Sequence, residues 1–112
     1  MNKENLVDEF NKINGNSNLG DIQNYIAKMM EANGWSNTSL ELFCYLTEEV
    51  GELAKEIRKT EKNMVMDSHK EYSSSLNDEI ADVFIYLLAI CNYYQIDLLK
   101  DKEKINLERF WK

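Results

Sequence analysis

Proline is absent from this chain of 112 residues, histidine occurs once, cysteine twice and glycine four times. No stretch alternates apolar and polar residues for long enough to establish a strand, and no internal repeat is present. With no proline to interrupt a helix and no period-2 pattern, the reading is all-α. The single histidine, His69, sits in an aperiodic stretch and reads as solvent-facing. That removes histidine-rich metal sites and a Cys-His nucleophile pair, and no E-x-x-H repeat of the di-iron type occurs. Cys44 and Cys91 lack C-x-x-C spacing and lie among apolar neighbours, so both are expected as reduced core thiols. There is no G-x-x-x-x-G-K-[ST] loop and no G-x-S-x-G elbow. Basic residues are also scarce: thirteen against twenty acids give a net charge of −7. Such a surface does not replace the counterions of a nucleic acid, so no nucleic-acid partner is expected. No apolar run reaches the roughly 18 residues of a membrane span, and the N-terminus, M-N-K-E-N-L-V-D-E-F, is too acidic and polar for a signal peptide. A cytoplasmic protein without membrane contact is expected.

What remains is helical periodicity. Leu6, Phe10 and Ile13 mark a possible short helix within residues 1–13, and N-G-N-S-N-L-G at 14–20 reads as a linker. Ile22, Tyr25, Ile26, Met29 and Met30 share one face of a helix over 21–33, closed by Asn33-Gly34. A second helix runs from about Leu40 to Lys62 behind the capping residues Asn37, Thr38 and Ser39. Residues 63–72 form a connection without clean period. Ser73 to Ser75, with Asp78, cap a third helix reaching about Gln95, and Asp97 caps a last one from Leu98 to about Phe110. Residues 1–18 are read as an extension and 19–112 as one domain, an antiparallel bundle of about four main helices with a possible short N-terminal helix. A domain this small buries limited surface, and self-association is expected.

Acids concentrate on two of these helices. Leu46 to Glu56 reads L-T-E-E-V-G-E-L-A-K-E, and Glu79-Ile80-Ala81-Asp82 answers it on the third helix. At roughly 100° per residue, Glu49, Glu52 and Glu56 border an apolar stripe of Leu42, Leu46, Val50, Leu53 and Ile57, while Glu48 falls farther out, toward water. If the two apolar faces meet, Glu49, Glu52, Glu79 and Asp82 converge where like charges repel or take up protons. A hard divalent cation relieves that repulsion, and an all-oxygen donor set suits Mg²⁺, with Mn²⁺ as a substitute. The alternative for any single E-x-x-E is a solvated face paired with Lys55, Arg58 and Lys59. Gly51 costs helix stability mid-helix, so close approach of another helix or of substrate is expected there.

The pair E-E-V-G-E and E-I-A-D resembles the signature of the MazG-like, all-α nucleoside triphosphate pyrophosphohydrolases. The likeness extends to Gly34-Trp35, to G-E-L-A-K-E-I-R-K from Gly51 to Lys59, and to Lys102, Asn106, Arg109 and Phe110 as K-x-x-x-N-x-x-R-F. It covers roughly Leu19 to the C-terminus. The resemblance implies Mg²⁺-dependent hydrolysis of a nucleoside triphosphate between its α and β phosphates, and a homodimer or homotetramer. It implies metal binding by Glu49, Glu52, Glu79 and Asp82, and Glu48 as the group that orients or deprotonates the attacking water. Phosphate contact by Lys102 and Asn106 and base stacking by Trp35 are implied likewise, with Arg109 a further contact or a structural residue. The residues by themselves leave Trp35 open as a cover for the core edge, and Tyr86, Tyr93 and Tyr94 as a base pocket or a subunit contact. Two other readings are phosphoribosyl-ATP pyrophosphohydrolase, which usually carries a Tyr-His after the second motif whereas here Tyr86 stands at the His position and Leu87 follows, and a helical module that binds a cation or partner without turnover.

Overall fold

The computed structural model describes residues 2–35, 37–61 and 75–110. All four long elements are α-helices, and among the described residues no strand occurs. The chain divides into two compact units, one formed by residues 1–36 with 88–112 and the other by residues 37–87.

In the first unit, α1 (Lys3–Asn11) and α2 (Leu19–Ala32) are joined by a linker that turns on Asn14. Each begins at an asparagine whose side chain accepts an otherwise orphaned amide: Asn2 from Asn5, and Asn18 from Asp21. The Asp21 carboxylate returns the bond to the Asn18 amide, a reciprocal capping box. The helix therefore starts two residues earlier than its apolar pattern suggests. Gly34, at φ 66°, closes α2 in the left-handed conformation, and the Trp35 amide reaches back to the Met30 carbonyl at 2.8 Å. α1 lies on α2 through Phe10 and Tyr25, with ring centroids 5.6 Å apart, and through Lys28 to Glu9 at 3.2 Å.

The buried centre of this unit comprises Ile26, Leu88, Ala89 and Cys91, with one polar group among them, Gln23. Its amide nitrogen donates to Asn92 Oδ1 at 3.2 Å and to the Ile96 carbonyl at 2.9 Å. Its amide oxygen accepts from the Leu98 amide at 3.0 Å, and Asn92 Nδ2 donates to the Gln23 carbonyl at 3.1 Å. One side chain thus ties α2 to the last turn of the fourth helix and to the chain leaving it, and every polar atom it buries is paired.

The second unit contains α3 (Ser39–Thr60) and most of α4 (Ser75–Tyr93). Thr38 and Glu41 form a capping box, and Arg58 and Lys59 sit in the last turn of α3, where cations oppose the helix dipole. The capping role expected of Ser73 and Ser74, the connection at 63–72 and His69 lie outside the described residues. α4 closes beyond Tyr93 through Gln95, which takes φ 57°, while the Ile96 amide bonds the Cys91 carbonyl at 2.8 Å.

Three expectations need correction. The last α-helix is not formed: Leu98–Asp101 are turns, followed by two short 3₁₀ helices, α5 (Lys102–Lys104) and α6 (Leu107–Phe110). Local side-chain bonds compete with it. Asp101 accepts from the Asp97 amide, Asp97 from the Lys100 amide and Asn106 from the Glu108 amide, while Ile105 is extended between the two turns. Second, the buried stripe of α3 runs through Leu42, Leu46, Glu49, Leu53 and Glu56, whereas Val50, Ile57 and Cys44 are exposed. The stripe is rotated toward the acids, and Lys59 Nζ, 3.0 Å from Glu56, makes burial of that carboxylate tolerable. Third, a Cβ on Gly51 would meet nothing within 4 Å, so among the described residues no other helix makes the close approach expected there.

The Gln23 network predicts that Gln23→Ala, which strands the Leu98 amide and the Ile96 carbonyl, lowers stability by about 2–4 kcal/mol. A urea midpoint that falls with the slope unchanged is the expected reading. A shift within about 0.5 kcal/mol would mean that water replaces the amide without loss.

Candidate active site

α3 and α4 run antiparallel in the 37–87 unit. Glu49 meets Glu79, and one turn earlier on α3 Tyr45 meets Tyr86, farther along α4. The acids stand in this seam because helical spacing puts them there. Glu49 continues the Leu42–Leu46 line, and Glu79, Asp82 and Tyr86 share one side of α4 at i, i+3 and i+7.

One carboxylate oxygen from each of Glu49, Glu79 and Asp82 lies within 4.8 Å of the other two, and all three side chains are half-buried. Burial pushes the Glu49 carboxyl up to about 7 from 4.5, assisted by its hydrogen bond to Glu79 and by the charges of Asp82, Glu79 and Glu52. Without a cation, a proton held on Glu49 relieves part of the repulsion. The Glu79 Oε2 atom is buried and accepts no hydrogen bond. A buried carboxylate oxygen without a donor costs free energy that a metal ion would recover. The donor set is oxygen only, which suits a hard divalent cation.

Glu52 lies on the exposed side of α3 and outside the three-carboxylate group, although its charge is felt at Glu49. Glu48 is exposed as well. The other sequence-derived candidates belong to the first unit. Trp35 is half-buried just after α2, while Lys102, Asn106 and Arg109 are exposed along α5, the break after it and α6. Their i, i+4, i+7 spacing presupposed one α-helix, and the two 3₁₀ turns remove that common face. Asn106 instead spends its side-chain oxygen on the Glu108 amide at 3.1 Å.

Two tyrosines complete the seam. The Tyr45 and Tyr86 rings are 5.8 Å apart and inclined by 35°. Burial raises the Tyr86 hydroxyl above its usual pKa, followed by the charges of Glu49 and Asp82. Tyr45 belongs to no motif. The available signal was its place four residues before Glu49, matching that of Tyr86 four residues after Asp82.

An antiparallel helix pair with a half-buried carboxylate cluster defines a helical protein fitted for divalent-metal chemistry. The family model described as the MazG nucleotide pyrophosphohydrolase domain matches residues 37–108, and the chain belongs to that family. Comparison with curated proteins and with solved structures finds no match. Among the described residues no helix is long and apolar enough to cross a membrane.

The raised Glu49 pKa makes one contribution to the pH dependence of the cation-free protein. Between pH 4.5 and about 7 the folded chain holds a proton that the unfolded chain has released. Its contribution to stability is therefore greatest at the acid end of this window and is lost as pH rises through about 7. Glu49→Gln should flatten the dependence and raise stability above pH 7 by on the order of 1–3 kcal/mol, read from urea unfolding in chelator. An unchanged pH profile would show that Glu49 ionises at its ordinary value.

Proposed function

We propose that this protein is a Mg²⁺-dependent nucleoside triphosphate pyrophosphohydrolase that cleaves between the α and β phosphates, releasing the monophosphate and pyrophosphate. The observation that carries the reading is the half-buried carboxylate group Glu49, Glu79 and Asp82, with its orphaned Glu79 oxygen, inside a matched nucleotide pyrophosphohydrolase domain. Glu49, Glu79 and Asp82 hold the cation, with Mn²⁺ as a substitute, and Glu52 completes the set from the exposed edge of the seam. A bound Mg²⁺ would neutralise phosphate oxygens and lower the pKa of water. Glu48 orients or deprotonates the attacking water from the wet side of α3. Lys102 and Asn106 offset charge on the departing pyrophosphate, Arg109 contributes a further contact or a structural one, and Trp35 stacks on the base.

In this reading the catalytic domain spans residues 19–112, and residues 1–18 are an extension. The substrate is a nucleoside triphosphate, a deoxy or modified one included, and the role is housekeeping of the nucleotide pool in the cytoplasm. The assembly is a homodimer or homotetramer.

Asp82→Asn and Glu79→Gln should each lower pyrophosphate release by about 10²-fold or more while the helical circular dichroism is kept. The assay is pyrophosphate release with Mg²⁺ over ribo- and deoxynucleoside triphosphates, with the nucleotide product identified. Monophosphate with pyrophosphate is the expected pair. Diphosphate with orthophosphate, or full activity in either variant, would overturn the assignment.

A further inference from the structure

The seam between α3 and α4 has a direction. Tyr45 and Tyr86 close one end, Glu49, Glu79 and Asp82 hold the middle, and the other end runs toward the C-terminus of α3 and the N-terminus of α4. Among the described residues of this unit the cations are Lys55, Arg58 and Lys59, and all three stand at that second end, on the last two turns of α3. The tyrosine end has none.

Lys59 differs from the other paired lysines. Its side chain is 18% exposed, against 45% to 82% for Lys12, Lys28 and Lys104, the other lysines in ion pairs among the described residues. Glu56, 10% exposed, holds it at 3.0 Å. Two apolar side chains would fill these positions without the cost of taking two charges out of water, so the pair is a poor device for stability alone. It does place an ammonium. The bond to Glu56 takes one of its three donors, which leaves two for an anion.

The position of that ammonium follows from helix geometry. Lys59 is seven residues after Glu52 and within about 20° of it around the axis, so both border the same edge of the seam. Glu56 likewise follows Glu49 by seven residues, and Lys59 reaches back to its carboxylate, which sets the ammonium about 10 Å along the seam from the cluster. α4 begins at Ser75, four residues before Glu79, so the positive end of its dipole points to the same region.

We propose that Lys59 binds the terminal phosphate of a nucleoside triphosphate whose inner phosphates lie at the carboxylate cluster, the phosphate chain running along the seam away from the tyrosines. The proposal rests on the pyrophosphohydrolase reading above and adds to it the direction of the substrate and the residue that tells three phosphates from two. A phosphate reaching past the cluster carries charge that a cation held there does not offset, and a partly desolvated ammonium pairs with it strongly. After cleavage the same contact stays with the departing pyrophosphate.

The test uses the full chain with Mg²⁺ and two measurements. By calorimetry, Lys59→Met should weaken binding of inorganic pyrophosphate by about 10-fold or more, and Lys59→Arg should restore most of it. In turnover, Lys59→Met should lower kcat/KM for a nucleoside triphosphate by about 10-fold or more while leaving the matching diphosphate within about twofold. Unchanged pyrophosphate binding, or an equal loss on both substrates, would overturn the proposal and reduce Lys59 to a partner that neutralises Glu56. If the wild-type chain released pyrophosphate normally and Lys59→Met did the same, the proposal alone would fall. A wild-type chain that turns over no nucleotide yet binds pyrophosphate through Lys59 would remove the pyrophosphohydrolase reading and keep the anion site. Should Lys59→Met lose its helical circular dichroism because Glu56 is left unpaired, the double variant Glu56→Gln with Lys59→Met removes both charges, and the same losses are expected of it. Pyrophosphate binding at the wild-type level in that variant would overturn the proposal equally.

Discussion

Repulsion among carboxylates in the seam between α3 and α4 is the constraint on which the rest of this structure depends. Glu49, Glu79 and Asp82 occupy positions that helix packing ordinarily gives to leucine or valine. Three negative charges so placed cost far more than the same charges in water. The protein meets part of that cost with a retained proton on Glu49 and leaves one Glu79 oxygen unpaired. The unpaired oxygen and the all-oxygen donor set support the metal reading more directly than any motif does.

The apolar surface follows from the same choice. Because the acids take the buried line of α3, the valine and isoleucine beside them face outward, and Phe43 with them. On α4 the acids take one side and Ile80, Phe84 and Leu87 the other. A helix pair that places charged groups in its seam carries part of its hydrophobic surface outside it. The carboxylate cluster and the exposed apolar lines are in this sense two consequences of one rotation of the helices.

The first unit is stabilised differently. Its helices begin at asparagine caps, its last turns close on left-handed residues, and a single buried amide, Gln23, joins α2 to the end of α4. A paired amide fixes register without the charge cost that the second unit carries. The stable scaffold and the electrostatically burdened seam are thereby separated along the chain.

How much of this the sequence settled by itself can be read from particular residues. The all-α class, the extents of α2 and α3 to within about two residues, and the closing role of Gly34 follow from caps and period-3.6 patterning, which act locally. The nearness of Glu49, Glu79 and Asp82 was also legible, because two acid-bearing amphipathic helices have few other ways to meet. The tertiary structure alone decided which stripe of α3 is buried, since Val50 and Glu49 sit side by side and only the partner helix selects between them. It decided that Glu52 faces outward while Glu56, neutralised by Lys59, does not. It broke the segment carrying Lys102, Asn106 and Arg109 into two 3₁₀ turns, because short-range bonds from Asp97, Asp101 and Asn106 outweigh a helical pattern without enough packing to hold it. Local hydrogen-bond chemistry is written in the sequence, whereas the choice between two competing faces depends on what lies across the interface.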